Sequence, residues 1–142
     1  SHIAEHYQGI AEEIRVLDNL RTGYKMNLDG LKVTFIEGSI TDRELVAKAV
    51  EGIDYIFHMA ALVSVPESMT KIRECIDLNV NGLLTVLEEA SKAGVKKVVL
   101  ASSAAIYGDN PIVPKVETMY PEPTRRTPIS YAVFCLKKKK LY

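Results

Sequence analysis

The side chains of this sequence that can do chemistry fall into a few short groups. Asp18-Asn19 closes an apolar run. A carboxylate at the end of such a strand can accept hydrogen bonds from both hydroxyls of an adenosine ribose and repel a 2′-phosphate, which favours NAD over NADP. The same pair is also ordinary turn chemistry, and the residues alone leave the two readings level. His58, in His58-Met59-Ala60-Ala61, reads as a satisfied core histidine rather than a catalyst, and the small residues after it would let a ligand approach the backbone. Asn79 stands at the edge of an apolar helical stripe. An unpaired carboxamide there would cost about 1–3 kcal/mol, so it needs partners, either as a structural bridge or in a proton network. Asn81 points to the solvated face, and Gly82, beside Asn79, marks a close approach. Ser102-Ser103 closes another apolar run, where a hydroxyl could make a turn or meet a substrate. His2-Ile3-Ala4-Glu5-His6 spells the H-x-x-E-H zinc pattern, but no third ligand is evident and no metal is expected.

Four runs must position these groups: 13–18 (EIRVLD), 32–37 (KVTFIE), 54–59 (DYIFHM) and 96–102 (KKVVLAS). Each is rich in Val, Ile, Phe or Tyr and nearly continuously apolar in its middle, as in strands buried on both faces of a parallel sheet. Helical spacing lies between them. Ile3, Tyr7, Ile10, Ala11 and Ile14 follow it, and so do Leu45, Val46, Ala49 and Val50 after a capping pattern whose Thr41 and Glu44 stand three apart. A long helix over 72–93 carries Ile72, Ile76, Val80, Leu83, Leu84, Leu87 and Ala90 as one stripe, with Gly94 closing it at C′. Strands alternating with helices predict an α/β fold with a doubly wound parallel sheet, in which ligands sit beyond the carboxyl ends of the strands. The segment 109–128 holds five of the six prolines and reads as a long loop, while the Lys run near the end fits no packed pattern and reads as a frayed, solvated terminus.

Composition narrows the function classes. The 142 residues carry 18 basic against 18 acidic side chains, so there is no basic excess for general nucleic-acid binding. No apolar run approaches the roughly 18 residues of a membrane-spanning helix. Two distant cysteines, Cys75 and Cys135, make a disulfide framework unlikely, so a cytoplasmic location is expected.

The series DNLRTG, HMAALVSV, DLNVNG, VVLASSAAIYG and PISYAV, in this order and spacing, resembles the extended short-chain dehydrogenase/reductases in their nucleotide-sugar epimerase branch. It looks most like UDP-glucose and UDP-N-acetylglucosamine 4-epimerases. The resemblance covers Ser1 to about Val133 and implies a Rossmann-like domain that binds NAD and epimerises a UDP-hexose through a transient 4-keto intermediate. It implies that Tyr131 removes the proton of the sugar hydroxyl, that Ser103 shares the substrate hydrogen bond, and that Asn79 organises a proton relay. Asp18 and Asn19 match the adenosine-side contacts, Ser39-Ile40 stands at the adenine, and Ala60 and Ala61 run along the cofactor. Ser39 replaces an acid usual in the family. Ala104-Ala105 leaves no acidic pair after Ser103, which favours an epimerase over a sugar-nucleotide dehydratase; a related dehydratase or reductase stands as an alternative. A homodimer is implied as well.

Three departures from the family pattern shape the expectation. The sequence opens with Ser1-His2-Ile3, resembling residues just after the third glycine of a GxxGxxG loop, so the first strand and loop are expected to be missing and two sheet edges left unpaired. The position four beyond Tyr131 is Cys135 where the family's catalytic helix has Lys, and Lys138 shares the helical face one turn too far along. The substrate-binding half is also expected to be missing. The chain thus reads as a partial NAD-binding domain over 1–142, with 134–142 as a divergent Lys-rich tail and with impaired epimerase activity. The competing reading is a non-catalytic remnant that binds a nucleotide or a partner protein.

Overall fold

The four apolar runs become strands, each ending where the sequence turns polar or small. The structure, a computed structural model, describes residues 1–102 and the backbone of residues 133–138. Along the chain come α1 (His2–His6), β1 (Ala11–Asp18), a 3-10 turn (Lys25–Leu28), β2 (Thr34–Glu37), α2 (Arg43–Val50), β3 (Tyr55–His58) and α3 (Val65–Thr70). They are followed by α4 (Ile72–Ile76), a π-helical turn (Asp77–Gly82), α5 (Leu83–Lys92), β4 (Lys97–Leu100) and β5 (Val133–Lys138). The sheet order is β2-β1-β5-β3-β4. β1 runs parallel to β2, with Asp18 opposite Glu37, and β3 parallel to β4, with His58 opposite Leu100.

β5 corrects three expectations. It lies antiparallel between β1 and β3, with Val133 opposite both Leu17 and His58. The inner edges of β1 and β3 are therefore paired, not open. Residues 133–138 are a central strand rather than a frayed tail, because backbone groups at the middle of a sheet must find partners and this segment supplies them. The same residues do not continue a helix from Tyr131, so Cys135 and Lys138 follow strand geometry, not the four-residue helical repeat.

Strand alternation sends side chains to two covered faces. Leu17 and Ile56 join Ile40, Val46, Ala49, Val50, Ile53, Val86 and Ala90 in a core between the sheet and α2 and α5. Ile14 and Val16 face the other way, onto Ala4, Tyr7, Phe35 and Phe57. Arg15 shares the parity of Leu17, and its Nη1 donates to the carbonyls of Lys48, Ala49 and Glu51 at 3.2, 3.2 and 2.8 Å. A cation there satisfies the open carbonyls at the C-terminus of α2 and complements its dipole.

The helices differ from expectation in three places. α1 ends at His6, and Ala11 and Ile14 belong to β1, because Gly9 at φ +76° turns the chain before the helical spacing can continue. The cap of α2 is Asp42 rather than Thr41: the Asp42 carboxylate accepts the Leu45 N–H at 3.0 Å. The predicted long helix is interrupted by the π turn, and most of its apolar stripe faces outward, with Ile72, Ile76, Val80, Leu84 and Leu87 all exposed. The inward face is instead Gly82, Thr85, Val86, Glu89 and Ala90. Glu89 is held there by Arg43 and Lys92, each at 2.7 Å. The end of α5 is as expected. Gly94 at φ +72° donates to Ser91 and Val95 donates to Ala90, the paired bonds of a Schellman cap.

Candidate cofactor site

Beyond the carboxyl ends of β1, β2 and β3 lies a cleft of about 110 Å³. Its walls include Asp18, Asn19, Ser39, Ile40, Ala60 and Ala61, the full set of cofactor positions expected from the sequence. Three separate strands end here, so residues more than 40 positions apart in sequence meet in one place.

At the end of β1 the chain makes two successive Asx turns. Asp18 Oδ1 accepts the Leu20 N–H at 2.7 Å, and Asn19 Oδ1 accepts the Arg21 N–H at 3.1 Å. Leu20 stands at φ +55°, a region unfavourable for a residue with a Cβ, and the paired turns hold it there. The other Asp18 oxygen lies 3.6 Å from where a Cβ at Gly23 would stand, an ordinary contact distance. The turn therefore engages Oδ1, and Oδ2 is the oxygen turned toward Gly23.

At the end of β2, Ser39 Oγ accepts the Thr41 N–H at 3.2 Å and lies 2.8 Å from Thr41 Oγ1. Its hydroxyl therefore shapes the turn into α2 as well as the cleft wall. Ile40 is 4% exposed and packs against Gly82, where an added Cβ would come within 2.5 Å of Ile40 Cδ1. The close approach expected at Gly82 is this contact.

At the end of β3, His58 is buried in the core and its Nδ1 has no hydrogen-bond partner among the described residues. It is not the satisfied histidine the sequence suggested. Burial pushes its pKa down from 6.5 to about 4, which keeps the imidazole neutral. The segment after it is held by Asn79: its Oδ1 accepts the Leu62 N–H at 2.8 Å, and its Nδ2 donates to the Leu62 carbonyl at 3.0 Å and to Cys75 Sγ at 3.4 Å. Between the two roles left open for Asn79, these bonds supply the bridge. The carboxamide ties the π turn to the cleft wall at Leu62. Asn81 is exposed, with its side chain on Asp77 at 3.0 Å.

Sequence reasoning missed Arg21, Thr22, residues 62–64 and Glu67, which also line the cleft. A signal for part of this existed: Ser64-Val65-Pro66-Glu67 is a helix start, and Ser64 Oγ accepts the Glu67 N–H at 3.3 Å to cap α3. The Arg21–Glu67 contact spans 46 positions and leaves no local trace. Ser103 and Tyr131, expected to do the proton chemistry, lie outside the described residues. The H-x-x-E-H segment forms α1, where His2 lies 3.5 Å from Glu5 and His6 stacks edge-on to Tyr7. Among the described residues no three His, Cys, Asp or Glu converge as metal ligands, and no helix is long and apolar enough to cross a membrane.

The architecture and the sequence agree with known proteins over most of the chain. A UDP-glucose 4-epimerase of Lacticaseibacillus casei is 38% identical over 126 residues, covering 87% of this chain and 38% of the relative. The crystal structure of UDP-glucose 4-epimerase from Thermotoga maritima with UDP-glucose superimposes with a TM-score of 0.72 at 35% identity, over 92% of this chain and 42% of that one. The UDP-glucose 4-epimerase of Stenotrophomonas maltophila, solved with bound NAD and formylated UDP-arabinopyranose, gives a TM-score of 0.63 at 30% identity, over 73% of this chain and 33% of that one. The chain thus spans about two fifths of the length of these relatives. The model of the NAD dependent epimerase/dehydratase family matches residues 1–136, and the chain belongs to that family.

Proposed function

We propose that the cleft binds the adenosine end of NAD and that the parent activity is 4-epimerisation of a UDP-hexose. The observation that carries the reading is the convergence of Asp18, Asn19, Ser39, Ile40, Ala60 and Ala61 on one cleft at the strand ends. The donor set fits the adenosine end: a carboxylate with one oxygen free for ribose hydroxyls, an apolar wall at Ile40 for a base, and alanines at 60 and 61 that admit close backbone approach. NAD, when bound, would take hydride from the sugar carbon and return it to the opposite face. Ser103 and Tyr131 are assigned the hydrogen bond to the sugar hydroxyl and the removal of its proton. Asn79 positions the wall at Leu62, and any part in a proton relay would follow from that anchoring.

The same reading holds that this polypeptide turns over sugar poorly. Cys135 supplies no positive charge four residues beyond Tyr131, and residues 133–138 form a strand there. Without a neighbouring cation a phenol stays protonated at neutral pH, leaving little phenolate to accept the sugar's proton. Assay of the purified chain for UDP-glucose/UDP-galactose and UDP-N-acetylglucosamine/UDP-N-acetylgalactosamine interconversion tests this. Little or no conversion is expected, and turnover at the rate of an ordinary enzyme would contradict it. We place the protein in the cytoplasm and assign it a homodimeric state, supported by the exposed apolar stripe Ile72, Ile76, Val80, Leu84 and Leu87. Sedimentation as a monomer at micromolar concentration would contradict the dimer.

A further inference from the structure

Across the cleft, Arg21 reaches from the loop after β1 to Glu67 on another wall and to Glu74 outside the lining. Its Nη2 contacts Glu67 Oε1 on α3 and Glu74 Oε1 on α4, the latter at 3.0 Å. Lys71 closes the group, with Nζ 3.0 Å from Glu67 Oε1 and 3.8 Å from Glu74 Oε2. Two cations and two anions balance. The Lys71 hydrogen bond, opposed by burial and joined by the charge of Arg21, holds the Glu67 carboxyl below its ordinary pKa, so Glu67 is ionised at neutral pH. These side chains are only partly buried, Arg21 at 27% and Glu67 at 33% exposure, and ion pairs of that kind add little to folding. Their effect falls on what enters the cleft.

Arg21 and Glu67 line the same cleft as Asp18. A free guanidinium close to an adenosine ribose is the group that accommodates a 2′-phosphate, through short charge-assisted bonds. Here that guanidinium is committed to Glu67 and Glu74. A 2′-phosphate would have to break those pairs or settle beside the Asp18 carboxylate with the Arg21 charge withheld. We infer that Glu67 and Glu74 are specificity-determining residues: by holding Arg21 across the cleft they withhold its charge and exclude 2′-phosphorylated adenosine. The inference rests on the adenosine reading of the cleft and adds a second layer of discrimination beyond Asp18.

AMP and adenosine 2′,5′-bisphosphate differ only in the 2′-phosphate, so calorimetric titration of the full chain with each isolates the effect. The unaltered protein is expected to prefer AMP. In E67Q/E74Q the ratio of the two affinities should move at least tenfold toward the bisphosphate, and in R21Q/E67Q/E74Q that gain should vanish. The single variant E74Q, at the most exposed carboxylate that Arg21 contacts, should move the ratio less in the same direction and serves if the double variant folds poorly. An unchanged ratio in E67Q/E74Q, or the same gain without Arg21, would overturn the inference while leaving AMP binding, and thus the adenosine site, intact. Failure of both nucleotides to bind the unaltered chain would overturn the adenosine reading, and the inference with it.

Discussion

Two side chains at the strand ends show how one residue can serve fold and site together. Asp18 uses Oδ1 for the Leu20 turn and keeps its second oxygen beside Gly23, which is why sequence alone left turn and ligand readings level. His58 is at the other extreme: 6% exposed, with an unpartnered Nδ1 among the described residues and a pKa lowered by burial to about 4. Because the folded value lies below the ordinary 6.5, the unfolded chain takes up the proton first as pH falls. The stability carried by the neutral imidazole is therefore complete above pH 6.5 and is lost progressively toward pH 4. From the linkage relation the loss is about 3 kcal/mol. Urea unfolding at a series of pH values should show this decline, and His58→Phe should flatten it over that window. An identical slope in the variant would place the acid sensitivity elsewhere. That His58 was core was legible from its apolar run. That its nitrogen lacks a partner was not, because the atoms around it come from other strands.

At the scale of elements, the π turn decides which side of the long helix faces the core. Sequence periodicity picked out the large apolar residues as the inward stripe, but the packed side is small: Gly82, Thr85, Val86 and Ala90 let α5 lie close to α2 and the sheet. Hydrophobic pattern reports that a helix is amphipathic; the inserted turn and the close approach at Gly82 set its rotation. The strand ends were legible because β-branched runs stop sharply at polar or small residues; the six positions assigned to the cofactor came from the family resemblance, and they line the cleft at those ends. Two variants test the element-level account. Gly82→Ala puts a methyl within 2.5–2.7 Å of Ile40 Cδ1 and Cγ1, so it should lower stability by about 1–3 kcal/mol and weaken nucleotide binding as Ile40 shifts into the cleft. Ile40→Ala should relieve part of that loss, measured as a double-mutant cycle in urea. Asn79→Ala removes both bonds to Leu62 and should cost about 1–3 kcal/mol, with hydrogen exchange of the Leu62 amide accelerated beyond that of β3.

For the whole molecule, β5 joins two half-sheets that among the described residues share no other strand pairing: β2-β1 on one side and β3-β4 on the other. A doubly wound pattern predicts parallel neighbours, and a Lys-rich end predicts solvent. Neither local signal can reveal that Val133–Lys138 returns to the centre of the sheet, since its partners in β1 and β3 lie 75 or more positions away. Phe134→Pro removes a backbone donor at the middle of that strand. We expect it to expose the inner edges of β1 and β3, with a lower urea midpoint and concentration-dependent association by light scattering. A variant with the same assembly state and the same stability as the unaltered chain would show that β5 does not hold the halves together.

The central claim is that the cleft at the ends of β1, β2 and β3 is the adenosine site. Calorimetric titration of the full chain with NAD, beside the Asp18→Ala variant, tests it most directly. Saturable one-to-one binding to the unaltered chain is expected, with an affinity reduced at least tenfold in the variant, about 1.4 kcal/mol for a lost charge-assisted ribose contact. Equal affinity in the two proteins, or no binding to either, would contradict it.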